Sequence, residues 1–166
     1  SDVYQRQMKI SIVISPDDLF IRLKANSKKQ VLQEMVKLAA SRASHIDQRE
    51  VFDLLIDRER LGCPGIGKGI AIPHTRCSLA SNEVNPIAIL ATLDNAIDFE
   101  ASDDEPVDIV FMLLAPDTGG GEHLTVLALA SRLLSTQGMA DNLRKAATVD
   151  EAWSAILNAG DAVAAA

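Results

Sequence analysis

Two stretches, Ile87 to Leu93 and Val107 to Leu114, are apolar almost without interruption, and they limit what this chain can fold into more than anything else in it. A strand with one face in water alternates apolar and polar residues. A run that is apolar throughout and bounded by Asn, Pro and Asp has to be covered on both faces. Both runs are therefore expected at the centre of a sheet, and the cover has to come from helices.

The helices are legible on either side of those runs. From Ser27, a natural N-cap, Val31, Leu32, Met35, Val36, Leu38 and Ala39 recur at helical spacing. Asp47 followed three residues later by Glu50 reads as a capping box, with Val51, Leu54 and Leu55 as the stripe behind it and Gly62 as the terminator. Arg58 and Arg60 then fall in the last turn, where the negative end of the helix dipole favours cations. After the Asp117-Thr118-Gly119-Gly120-Gly121 loop a third helix starts near Glu122, with Leu124, Leu127, Ala130 and Leu134 in its stripe. Two more helical patterns run from Ala140 to Ala147 and from Asp150 to Asn158, the second anchored by Trp153, Ile156 and Leu157 and closed by Gly160.

At the N-terminal side, Met8 to Ser15 alternates only partway, Pro16-Asp17-Asp18 supplies turn or helix-start chemistry, and Phe20 to Lys24 alternates as an early strand would. Strands interleaved with helices predict an α/β fold with a mixed central sheet flanked by helices on both sides. Without an internal repeat or compositional break, residues 1–166 read as one domain with frayed ends near 1–7 and 160–166.

A formal net charge of -7 argues against a nucleic-acid backbone or an anionic membrane as partner, since both attract basic surfaces. Cys63 and Cys77 match no disulfide framework, the first nine residues have no apolar core of an export signal, and no apolar run reaches membrane-spanning length. The expected location is cytoplasmic, with neither nucleic acid nor membrane insertion involved.

The chemistry concentrates in Gly65-Ile66-Gly67-Lys68-Gly69-Ile70-Ala71-Ile72-Pro73-His74. A glycine-punctuated loop, a short apolar stretch fit for a strand and a proline hold one imidazole at the end of a stiffened segment. The glycines do not signal a nucleotide site. A dinucleotide fingerprint or a P-loop opens a helix, whereas these follow a helix and lead into Ile70-Ala71-Ile72-Pro73. Cys63, His74 and Cys77 lack the second ligand pair of a structural zinc site, and the thiols read as buried or incidental rather than nucleophilic. No metal and no cofactor is called for. His45, between two helices, has a surface or capping role. His123 falls in a helix's first turn, where exposed backbone N–H groups favour a bound anion. His74 with an arginine and a second histidine fits phosphoryl transfer through a phosphohistidine, which needs an unprotonated ring nitrogen, in-line positioning and donors for the equatorial oxygens.

Asp57-Arg58-Glu59-Arg60-Leu61-Gly62 and the Gly65 to His74 run together resemble the phosphorylation-site signature of the mannitol/fructose-type (type 2) enzyme IIA domains of the bacterial phosphoenolpyruvate-dependent phosphotransferase system. The wording fits the nitrogen-regulatory branch best. Asn26-Ser27-Lys28-Lys29, Ala96-Ile97-Asp98-Phe99, Pro106-Val107-Asp108 and Glu122-His123-Leu124 are similar to further family landmarks, so the likeness spans roughly Met8 to Asn158. It implies that His74 is phosphorylated by an HPr-like phosphocarrier on the ring nitrogen remote from the backbone. It further implies that Arg58 stabilises the phosphoryl group and that His123 supplies a supporting hydrogen bond.

Three functions follow. By the first, the chain is a phosphotransferase component acting mainly as a regulator, whose phosphorylation state gates binding to targets such as potassium-transport regulators or sensor kinases. By the second, it is a fructose- or mannitol-specific enzyme IIA that passes phosphate to a IIB domain. The third is a binding module that accepts no phosphate. It rests on Thr75, a β-branched residue averse to positive φ where the family commonly has glycine.

Overall fold

The computed structural model describes residue 10 and residues 13–60, 66–79 and 85–165, with side chains omitted at residue 60 and beyond residue 159. Gly62, Cys63, Gly65 and the first nine residues therefore lie outside the described residues, as does the side chain of Arg60.

Pro16–Asp18 forms a 3-10 turn started by Ser15, whose backbone N–H donates to Asp18 Oδ2 at 2.9 Å. It delivers the chain into β1, Leu19–Leu23, one residue earlier than the alternation suggested. Helix α1, Lys28–Arg42, starts on Ser27, whose hydroxyl accepts from the Gln30 N–H at 3.1 Å. Helix α2, Gln48–Arg60, starts in the same way on Asp47, which accepts from the Glu50 N–H at 3.1 Å. Both predicted caps are thus present, each satisfying an N–H that the helix leaves without a partner.

The two apolar runs are β4, Ile87–Ile97, and β5, Val107–Pro116, antiparallel neighbours at the middle of a five-stranded sheet. β1 lies parallel to β4 on one side. On the other side of β5 run two short parallel strands, β2 (Ile70–Ala71) and β3 (His74–Cys77), one after the other along the same edge. Pro73 sits between them. It has no N–H to give the ladder, yet its carbonyl still accepts from Leu113 N at 3.0 Å, so the edge is interrupted without being lost.

Each face of β5 feeds a separate core, which is why the run is apolar except at Asp108, whose carboxylate is paired with Arg144. Val110, Met112 and Leu114 pack with Met35 and Val36 of α1 and Val51 and Leu55 of α2. Ile109, Phe111 and Leu113 pack with the C-terminal helices α3 (Glu122–Ser135), α4 (Met139–Lys145) and α5 (Val149–Ala165). The expected mixed sheet between two helical layers is what forms.

Four points differ from expectation. β3 was not predicted, because His-Thr-Arg-Cys has no apolar period and is a strand only through its pairing with β5. The stripe of α3 is rotated: Val126, Leu129, Ala130, Leu133 and Leu134 are buried, whereas Leu124 is 61% exposed. Helix α5 does not close at Gly160 but continues to Ala165, since one glycine costs about 1 kcal/mol in a run otherwise rich in alanine. Leu157, expected as an anchor of that helix, is exposed.

The glycine run has a structural explanation. Gly67, Lys68 and Gly69 have φ of 76°, 59° and 83°, and Ile70 N donates back to Gly67 O at 3.2 Å, closing a turn with both central residues left-handed. Asp103 Oδ2 accepts from Lys68 N at 2.9 Å, and Arg144 of α4 donates to Lys68 O at 2.8 Å while its Nε bridges both oxygens of Asp108. That backbone N–H of Lys68, followed by that of Glu105, holds the Asp103 carboxyl below the usual range. A Cβ on Gly69 would come within 2.7 Å of Arg144 Nη2. Gly69→Ala is therefore expected to cost about 1–3 kcal/mol, as steric crowding adds to a left-handed backbone. Gly121→Ala, where a Cβ meets nothing within 4 Å, should stay within about 0.5 kcal/mol. Urea melts of both variants check this, and equal losses would refute the packing argument.

Candidate functional site

His74 is the first residue of β3, on the exposed edge of the sheet and opposite Leu113 of β5. An edge strand can be reached from both helical layers, and that is what gathers the site. Arg58 comes from the last turns of α2 in one layer, and His123 from the first turn of α3 in the other. With His74, Thr75, Arg76, Leu113, Ala115, Leu124 and Leu127 they line a cleft of about 350 Å³. It lies where β5 ends and α3 begins, the usual place for a ligand in an α/β sheet. The three residues expected from the sequence, His74, Arg58 and His123, are thus brought together.

The orientation of the His74 ring follows from one hydrogen bond. Its Nδ1 lies 2.8 Å from the backbone oxygen of Ile72, two residues back across Pro73. A carbonyl oxygen only accepts, so Nδ1 has to carry the proton, and in the neutral ring Nε2 keeps its lone pair. The carbonyls of Gly69, Pro73 and Cys77 accept from the β5 side, and that of Ile72, on the alternate side of the chain, is left to the imidazole. The ring itself is half-buried.

Arg58 is exposed and makes no hydrogen bond or ion pair among the described residues. The residue beside it behaves differently. Glu59 is buried, with its carboxylate 3.1 Å from Lys28 Nζ at the start of α1, a charge contact without the alignment of a hydrogen bond. The same ammonium lies 5.7 Å from the centre of the Phe99 ring. This anchored glutamate holds the end of α2, and the neighbouring guanidinium is left available to the cleft.

Arg76 was not singled out from the sequence, yet it is the most heavily engaged side chain in the cleft. It donates to the carbonyls of Gly119 and Gly120 at 3.1 Å each, and its Nη2 lies 3.4 Å from His123 Nδ1. The signal available was spacing: in a strand, residue 76 shares a face with residue 74.

Thr75 needs no left-handed backbone. Among the described residues, the non-glycine residues with positive φ are Arg22, Lys68, Glu100 and Asp104, and Thr75 lies in the extended ladder opposite Leu114, where a β-branched residue is favoured. Its hydroxyl donates to Arg76 O at 3.0 Å.

Cys77 alternates to the opposite face of β3 and is buried against the α1–α2 layer. Burial first, then the charges on Asp117 and Glu50, push its thiol up to about 11, which suits a packing residue and not a nucleophile. Among the described residues no cluster of His, Cys, Asp and Glu is arranged to hold a metal, and Cys63 lies outside them. His45 is exposed in the turn between α1 and α2, away from the cleft. Gly67 and Gly69 do not line the cleft either. Among the described residues no helix is long and apolar enough to cross a membrane.

Comparison with known proteins follows the same lines. Residues 12–159 match the family model described as phosphoenolpyruvate-dependent sugar phosphotransferase system, EIIA 2. A nitrogen regulatory protein from Bradyrhizobium diazoefficiens is 40% identical over 149 residues, covering 90% of this chain and 95% of that protein. A fructose-specific EIIA component from Haloferax volcanii is 34% identical over 121 residues, 72% of this chain and 76% of its own length. The solved structure of nitrogen regulatory protein IIA-Ntr from Neisseria meningitidis superposes with a TM-score of 0.78 at 26% identity, covering 89% of this chain and 98% of that one. With a family model spanning both helical layers and the cleft between them, the chain belongs to the type-2 enzyme IIA family of the phosphoenolpyruvate-dependent phosphotransferase system.

Proposed function

We propose that His74 accepts a phosphoryl group from an HPr-like phosphocarrier and that the protein acts as a regulator, its phosphorylation state deciding which target proteins it binds. The observation that carries this reading is the 2.8 Å contact of His74 Nδ1 with Ile72 O, because it leaves Nε2 as the nucleophilic nitrogen in a cleft that also holds Arg58 and His123. As Nε2 supplies the electron pair of the new N–P bond, the donor atom of the carrier leaves with the pair of the old one. No general base is needed, since the lone pair is already free and Nδ1 keeps its proton on the carbonyl. Arg58 meets the equatorial oxygens, where charge is carried through the transition state. On a molecule of net charge -7, a cleft bearing two arginines concentrates positive potential where a phosphoryl group would arrive.

Targets such as potassium-transport regulators or sensor kinases suit the nitrogen-regulatory reading, which is favoured by relatives of that name matching over nine-tenths of the chain. The fructose-specific relative supports a second reading, transfer onward to a IIB domain, over a shorter match.

The test is incubation of the full chain with phosphoenolpyruvate, enzyme I and a cognate carrier, followed by intact mass and peptide mapping. A single acid-labile, alkali-stable adduct on His74 is expected. No adduct would leave the protein as a binding module that kept the fold.

A further inference from the structure

We propose that Arg76 is a positioning residue that sets the tautomer of His123, so that this ring presents an N–H donor to the cleft while His74 presents a lone pair. The catalytic consequence rests on the phosphoacceptor reading above; the tautomer itself does not.

Each ring nitrogen in the cleft with a protein partner faces one of definite character. His74 Nδ1 faces a carbonyl, which only accepts. His123 Nδ1 faces Arg76 Nη2 at 3.4 Å, and a guanidinium has five N–H donors and no acceptor. His123 Nδ1 must then be the lone-pair nitrogen, and in the neutral ring the proton sits on Nε2. The two histidines are held in opposite tautomers, one suited to attack and the other to donating to a phosphoryl oxygen.

The position of Arg76 explains why an arginine is used. β3 and β5 run parallel with Arg76 level with Ala115, so a long side chain from residue 76 reaches past the end of β5 to the loop that follows it. There the two arms of the fork take the carbonyls of Gly119 and Gly120, at 3.1 Å each, while Nη2 also reaches His123. Helix α3 starts on Gly121, which offers no side-chain cap, so the turn carrying His123 is tied to the phosphoacceptor strand by Arg76. A lysine brings one ammonium and cannot span all three acceptors with the fixed geometry of a fork.

The readout is the two-bond proton–nitrogen correlation spectrum of the three histidines in the unphosphorylated protein, at a pH where the rings are neutral. In the wild type, His123 is expected to show a pyridine-like Nδ1 and a pyrrole-like Nε2, and His74 the reverse. In Arg76→Leu the His123 Nδ1 signal should move toward the average of the two tautomers while His74 keeps its pattern, which also reports that β3 is intact. Arg76→Lys, milder for the fold, should move it partway.

Phosphoryl acceptance by Arg76→Leu should slow by about tenfold to a hundredfold, the scale on which misplaced groups cost rate, with partial recovery in Arg76→Lys. A His123 pattern unchanged in both variants overturns the proposal, and so does a shifted pattern with an unchanged transfer rate. A wild type that shows the two opposite tautomers but takes up no phosphate would instead overturn the phosphoacceptor reading and leave the tautomer assignment standing.

Discussion

His74→Ala is expected to abolish the acid-labile adduct altogether while leaving the fold in place. Truncation removes one half-buried ring from an edge strand and one hydrogen bond, to Ile72 O, which costs about 0.5–1.5 kcal/mol, well short of unfolding a domain with two covered sheet faces. The loss of labelling should be complete because no other described residue nearby can substitute. His123 shares the cleft, but its Nδ1 lone pair is directed at Arg76, so its other nitrogen carries the proton and cannot attack. His45 lies outside the cleft, and Cys77 is buried with its thiol pushed up to about 11. The same incubation with phosphoenolpyruvate, enzyme I and carrier, read by intact mass beside a thermal melt of each protein, checks both halves of the expectation. An undiminished adduct in His74→Ala would sink the assignment of the acceptor.

What the sequence disclosed and what it hid divide along physical lines. Val107 to Leu114 announced a central strand because burial on two faces leaves little room for unpaired polar residues, and the observed packing of Met112 to one layer and Phe111 to the other is that constraint made visible. Ser27 and Asp47 announced helix starts because capping is local chemistry, settled within three residues. The Gly65 to His74 run drew attention to a residue that the structure places in the cleft, and partly for the wrong reason. Its described glycines build a left-handed turn locked by Arg144, and the His74 ring is oriented by the Ile72 carbonyl.

Long-range partnerships stayed hidden. That Arg76 would meet Gly119, Gly120 and His123 depends on β3 pairing with β5, and no local period records a pairing between segments so far apart in the chain. The same holds for Arg144 with Asp108 and for Lys28 with Glu59, although Lys28 and Asp108 both lie in segments recognisable as family landmarks. Leu124 shows the converse error: its helical spacing suggested core, and the helix is turned so that this residue rims the cleft.

Arg58→Ala is the second change with a large expected effect, and it separates two roles that the helix end alone confounds. A cation in the last turn of α2 interacts favourably with the helix dipole, so if that were the whole of its work, the substitution would cost about 0.3–1 kcal/mol of stability and leave transfer untouched. An arginine that meets the transferring phosphoryl group predicts the reverse: little change in stability, since Arg58 holds no partner among the described residues, and transfer slowed by about a hundred- to a thousandfold, as loss of a single oxyanion donor typically does. Direction carries further information. Stabilising the transition state lowers the barrier equally from both sides, so acceptance from the carrier and return to it should slow by the same factor and the equilibrium between them should hold. If Arg58 instead stabilised only the phosphorylated product, the variant would shift the equilibrium toward the carrier and speed the return. Arg58→Lys, keeping the charge and losing the fork, should fall between alanine and wild type. Single-turnover rates measured in both directions decide among these, and rates unchanged in both would return Arg58 to the role of a helix-end charge.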